Sequence, residues 1–89
     1  MNDKKIVLVV GMGTSPAVMT ETVWALAHQS EPVVPDEIVV ITTKSGKDAV
    51  RAAIMSGAPS VWNRLKTALA KEKIAIDGKL VFGDTSIRV

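Results

Sequence analysis

The sequence predicts an α/β fold built on a parallel sheet, and three observations carry that expectation. Residues 4–10 (KKIVLVV) and 37–43 (EIVVITT) are β-rich apolar runs. Their hydrophobicity is continuous rather than alternating, as in strands covered on both faces. The stretch after each run carries apolar residues at helical spacing, with Gly, Pro and Ser marking the changes of state. Strand alternating with helix is the pattern of a doubly wound sheet with right-handed crossovers.

Each element follows from its residues in turn. KKIVLVV is the first strand. Pro16 suits the first position of a helix, with Ser15 as its N-cap. That helix runs to about Gln29, and Met19, Val23, Leu26 and Ala27 form its buried face. SEPVVPDE (30–37) has prolines and no periodicity, and reads as a loop. EIVVITT is the second strand. KSGKDAVRAAIMSG (44–57) is the second helix, beginning at Lys44–Gly46 and ended by Gly57. Pro59 or Ser60 opens a third helix. Its stripe is Val61, Leu65, Ala68 and Leu69, with Lys66, Lys71, Glu72 and Lys73 toward solvent. GKLVFGD (78–84) is the third strand, and TSIRV (85–89) is extended. The order β-α-β-α-α-β predicts a Rossmann-like parallel sheet with helices on both faces. Such a sheet is small for this architecture, and SIRV carries no cap, turn or polar tail. Residues 1–89 are therefore expected to be a single domain forming the front portion of a longer protein.

Composition bounds the function. The 89 residues suffice for one domain, which buries about 60–65% of its unfolded surface. Apolar residues make up 47%, which argues against disorder, and only Trp24, Trp62 and Phe82 are aromatic. The core is therefore mostly Val, Ile, Leu, Ala and Met. A formal charge of +2, with Lys and Arg scattered, is too small to predict binding of a long nucleic acid. Cysteine is absent, which excludes disulfides and cysteine-ligated metals. The N-terminal apolar run is too short for a signal peptide core or a membrane span, so a soluble, cytoplasmic protein is expected.

The most informative stretch is VGMGTSPAVMT (10–20), directly after the first strand. In a doubly wound sheet, ligands bind beyond the carboxyl ends of strands. Glycines there let the backbone turn sharply and approach a ligand, and the following helix N-terminus favours an anion. Thr14 and Ser15 add two hydroxyls. The turn is thus either a phosphate or ribose site, or simply a well-made turn. GMGTSP begins like the dinucleotide fingerprint but has Pro16 where a third glycine is needed. Thr42, Thr43 and Lys44 stand where an acidic ribose ligand belongs. Lys44 keeps a 2′-phosphate, and so NADP, open as an alternative. KSGKD (44–48) is not a phosphate-binding Walker loop, because the required glycines and the Ser/Thr after Lys47 are missing.

GMGTSPAVMTETVWALA (11–27) resembles the N-terminal signature of CRISPR-associated Rossmann-fold (CARF) sensor domains of the ring nuclease and CARF-ribonuclease type. IVVITTKSG (38–46) is similar to that family's second-strand element, and FGDTSIRV (82–89) to its third-strand region. The Thr20–Glu21–Thr22 run is more specific than a lone glycine motif. The resemblance implies a type III CRISPR protein that binds cyclic tetra- or hexa-adenylate as a homodimer. In some members a metal-independent ring nuclease activity uses a ribose 2′-OH against the adjacent phosphodiester. It implies that Thr14 and Ser15 touch ribose and phosphate, and that they are the catalytic candidates. Gly11, Met12, Gly13 and Pro16 would line the same loop, and Thr43, Lys44 and Ser45 would wall the adenine pocket. It implies no cofactor and no metal. The family's later Gly-Gly-Arg-Lys turn has no counterpart in these 89 residues, nor does an Arg-x-x-x-x-His ribonuclease pattern.

The remaining polar residues have plainer readings. His28 has no carboxylate or Ser partner at meaningful spacing and reads as a surface residue or a complement to the helix dipole. Glu21 reads as favourable with the dipole or as a general base. Thr20 and Thr22 read as packing residues or as contacts to a ligand or neighbouring subunit. Trp24 and Trp62 read as core, or, if exposed, as a dimer face. Arg64, Lys66, Lys71 and Lys73 form a solvated face, and Asp77 and Asp84 serve turns.

Overall fold

A computed structural model describes residues 4–89. Strand β1 (Val7–Gly11) leads into helix α1 (Ala17–Ala27), then strand β2 (Glu37–Ile41) and helix α2 (Lys44–Val50). A π-helical turn, Arg51–Met55, extends α2, and helix α3 (Val61–Lys71) follows. A 3-10 turn, Asp84–Ser86, precedes strand β3 (Ile87–Arg88). The sheet is parallel, in the order β1-β2-β3. The α/β class, the parallel sheet and the order of elements are those expected, and the fold is Rossmann-like.

Local chemistry sets the helix ends. Thr43 and Ser60 are extended N-cap residues whose hydroxyls accept from the N–H groups of Gly46 and Asn63, each at 3.1 Å. Gly57, at φ +100, ends the helical run as expected. Helix α1 differs. Pro16 is its N-cap, with no side-chain cap bond, and the Ser15 carbonyl rather than its hydroxyl accepts from Val18 N–H at 3.3 Å. Proline has no N–H and already holds helical φ, so the turn closes without a hydroxyl cap.

The third strand also differs from the sequence expectation. Val81 forms a single bridge to Glu37, and regular pairing resumes only at Ile87 with Val40. Leu80 sits at φ +60 with its side chain buried, a conformation that breaks an extended run. The chain then detours through the 3-10 turn before rejoining β2.

One core gathers the helices on the sheet. Met19, Val23 and Ala27 of α1, Val50 of α2, Ile54 of the π turn, and Trp62 and Leu69 of α3 pack together with Val10, Ile38, Val40 and Ile87 of the strands. The alternate strand residues are open: Val9 is 56% exposed and Ile41 53%. The continuous apolar runs predict cover on both faces, yet among the described residues only one face has it. Topology explains this. The order β1-β2-β3 advances in one direction, and right-handed crossovers advancing in one direction lay their helices on one face.

Candidate functional site

All three strands run parallel, so their carboxyl ends share one edge of the sheet. The turn of residues 11–16 leaves β1 there, and residues 42–45 leave β2 beside it. Met12 N–H donates to the Ile41 carbonyl at 3.1 Å, continuing the ladder past β1. Thr42 N–H donates to the Arg88 carbonyl at 2.9 Å, and its hydroxyl donates across to the Gly13 carbonyl at 3.1 Å. One residue thus ties the ends of β2 and β3 to the glycine turn.

Gly46 completes the contact. A Cβ there would fall on Thr42 Oγ1 and stand 2.5 Å from the Gly13 carbonyl oxygen. Gly46 is buried, and only a residue without a side chain lets α2 lie this close to the turn. Gly11 and Gly13 behave differently. Neither has a positive φ, and a Cβ at either would meet nothing within 4 Å. The fold itself makes no demand for glycine at these two positions.

Gly11, Gly13, Thr14 and Ser15 are exposed, while Met12 and Pro16 are half-buried. Among the described residues, neither the Thr14 nor the Ser15 side chain has a hydrogen-bond partner within the protein. Thr43, Lys44 and Ser45 are also exposed. The Thr43 hydroxyl is engaged in capping α2, which leaves the Lys44 ammonium and the Ser45 hydroxyl as the available polar groups of that trio. The structure therefore brings the two predicted turns together through Thr42 and Gly46. Surface hollows lie elsewhere, one at residues 29–33 and one between Ile6, Val33, Lys73 and Lys79, and neither touches the glycine turn.

Sequence reasoning missed Thr42 and Gly46 as organising residues, and missed Arg88 at the carboxyl end of β3. The signal for the first two was the TTKSG run itself, where a threonine ending a strand and a glycine four residues on flank a helix start. Lys44 and Arg88 form no ion pair among the described residues. Arg88 instead donates from Nε to the Thr85 carbonyl at 3.2 Å. Nearby, Asp84 receives the Arg51 guanidinium through two bonds of 2.6 and 2.8 Å, with Lys47 at 4.0 Å. The Arg51 bonds hold the Asp84 carboxyl below the usual carboxylate value. Asp84 does more than serve its turn, because it anchors the approach to β3 onto the π turn.

At the opposite end of the sheet, Asp36 accepts from Ile6 N–H at 2.7 Å and from Lys79 at 3.1 Å. The backbone bond from Ile6 is the larger cause of its lowered carboxyl pKa. His28, read as partnerless, pairs with Glu72 at 2.8 Å through 44 residues of separation. Its other ring nitrogen lies 2.7 Å from the Trp24 carbonyl. That carbonyl bond first, and Glu72 second, raise the His28 pKa above its ordinary value of 6.5. Trp62 is core, whereas Trp24 is 39% exposed and lies against His28 with ring centroids 4.2 Å apart.

Fold and site together define a Rossmann-like α/β protein whose glycine- and hydroxyl-bearing turn stands free at the carboxyl end of its first strand. Within that class the chain belongs to the CRISPR-associated protein NE0113 family, whose model matches residues 15–89. It is a protein of a CRISPR system. The matched span starts inside the turn, at Ser15, and includes the Thr42–Gly46 element and β3. No curated protein and no solved structure matches the chain. No helix among the described residues is long and apolar enough to cross a membrane.

Proposed function

We propose that this chain is a CARF-type sensor of cyclic oligoadenylate in type III CRISPR defence, binding the ring as a homodimer and cleaving it. The observation that carries the proposal is the pair of exposed, unpartnered hydroxyls of Thr14 and Ser15. They follow glycines that the fold does not itself require. Membership of a CRISPR-associated family and the position at the carboxyl end of a parallel sheet support the same reading.

The chemistry asks little of the protein beyond placement. A ribose 2′-hydroxyl gives up its proton as its oxygen attacks the adjacent phosphorus, the bond to the 5′-oxygen breaks, and the 5′-oxygen takes up a proton in exchange, so that none is gained or lost overall. The product ends are a 2′,3′-cyclic phosphate and a 5′-hydroxyl. Thr14 and Ser15 hold ribose and phosphate in line and donate to the phosphate oxygens, where negative charge builds in the transition state. Thr43, Lys44 and Ser45 wall the adenine, with the Lys44 ammonium adding positive charge.

Incubating the full chain with cyclic tetra- and hexa-adenylate and resolving the products tests the proposal. Replacing Thr14 and Ser15 by Ala slows ring cleavage more than it weakens binding. Equal cleavage by wild type and the double variant would remove their catalytic role. Stabilisation by NADP and not by either ring in a thermal-shift comparison would favour a nucleotide-binding enzyme instead.

A further inference from the structure

We infer that Thr42 is a positioning residue for the proposed ligand site, and that Thr42 with Gly46 fixes the Thr14 main-chain N–H as a donor to a phosphate oxygen of the ligand. The inference deepens the cyclic oligoadenylate reading and rests on it for the identity of the ligand. Its structural part stands alone.

The Gly13 carbonyl is held where Thr42 and Gly46 meet. The Thr42 hydroxyl donates to it at 3.1 Å, and Gly46 packs against it so closely that no Cβ fits. A trans peptide unit is planar, with its C=O and N–H pointing in opposite directions. Fixing the Gly13 carbonyl toward Thr42 therefore turns the Thr14 N–H away from α2 and out of the protein. Thr14 is exposed, and among the described residues its N–H has no backbone or side-chain acceptor. The same peptide plane carries the chain into Thr14 and Ser15, so the Thr42 bond and the Gly46 contact also limit where both hydroxyls stand. Met12 N–H, bonded to Ile41, and Pro16, capping α1, secure the two ends of the segment. An exposed glycine turn without these ties would sample many orientations. With them, the Thr14 N–H and the hydroxyls of Thr14 and Ser15 sample a narrower range of orientations in advance of the ligand, and that preorganisation lowers the cost of binding.

The test uses the full chain and the variants T42V, which keeps the shape and deletes the hydroxyl, and T42S, which keeps the hydroxyl. Affinity for cyclic tetra- and hexa-adenylate is read by calorimetry, and the Thr14 amide by its ¹H–¹⁵N cross-peak. Losing one positioning hydrogen bond predicts about three- to tenfold weaker binding in T42V, with T42S within about twofold of wild type. The Thr14 cross-peak shifts in T42V and stays near its wild-type position in T42S, while the dispersed spectrum of the core persists. Wild-type affinity in a folded T42V, or an unmoved Thr14 cross-peak, overturns the inference. If the wild type binds neither ring, the sensor reading fails, and the cross-peaks alone decide whether Thr42 sets the turn. Should T42V unfold, T42A is compared with T42S by the same cross-peak and the same criterion.

Discussion

Substituting Gly46 by Ala separates helix propensity from tertiary contact. Propensity alone favours the change, since Ala is better than Gly in a helix by about 1 kcal/mol, and by less near an N-terminus. The structure predicts the opposite sign. The new methyl would fall on Thr42 Oγ1 and stand 2.5 Å from the Gly13 carbonyl oxygen. Neither neighbour is the far end of a flexible side chain: one is a β-branched hydroxyl in a bond, the other is backbone. Overpacking of this kind costs about 1–3 kcal/mol. Displacing Thr42 also forfeits the Thr42–Gly13 hydrogen bond, a further 0.5–1.5 kcal/mol or so. Set against at most about 1 kcal/mol from propensity, the net is a destabilisation of roughly 0.5–4 kcal/mol, and each kcal/mol lowers the midpoint temperature of a domain this size by about 4–8 °C. Urea denaturation of both proteins, with the slope held as a check on two-state behaviour, measures it. A G46A protein as stable as the wild type, or more so, would refute the packing of α2 on the glycine turn.

Two further outcomes follow from the same structure. His28 bonds two acceptors at once, which requires both ring nitrogens to carry protons. Its folded pKa is raised, so its contribution to stability is complete below 6.5 and is lost as pH rises through the higher folded value. The difference in urea midpoint between wild type and H28Q therefore shrinks from mildly acidic to alkaline pH, and a constant difference would refute the pairing. Trp62 is 5% exposed and Trp24 39%. W62A accordingly costs about 3–5 kcal/mol, whereas W24A costs clearly less by the same denaturation assay; equal costs would place both rings in the core.

How far the sequence could be read depended on how local each cause is. Ser60 capping α3, Thr43 at the start of α2 and Gly57 past the π turn sit where short-range chemistry puts them, so α3 and the start of α2 were legible. The runs around Val9 and Val39 were legible as strands because apolar continuity is a local signal. What covers them was not. Cover depends on the direction in which strands are added, which leaves Val9 and Ile41 open here. The third strand was misplaced because the positive φ of Leu80 and the detour through Asp84–Ser86 are imposed by pairing to β2 from far along the chain. His28–Glu72 and Arg51–Asp84 were invisible for the same reason, each joining residues that only the fold makes neighbours. At the site, the turn and its hydroxyls stood out from residue types. The part played by Thr42 and Gly46 needed the distance between two turns, which no spacing along the chain encodes.

The central claim is that the turn bearing Thr14 and Ser15 recognises a cyclic oligoadenylate. Isothermal titration of the full chain with cyclic tetra-adenylate and, separately, cyclic hexa-adenylate tests it most directly. A sensor of this kind gives saturable binding of at least one ring, at one ring per two chains, weakened by T42V and not by T42S. No binding of either ring, or binding that T42V and Ala at both Thr14 and Ser15 leave unchanged, would contradict it.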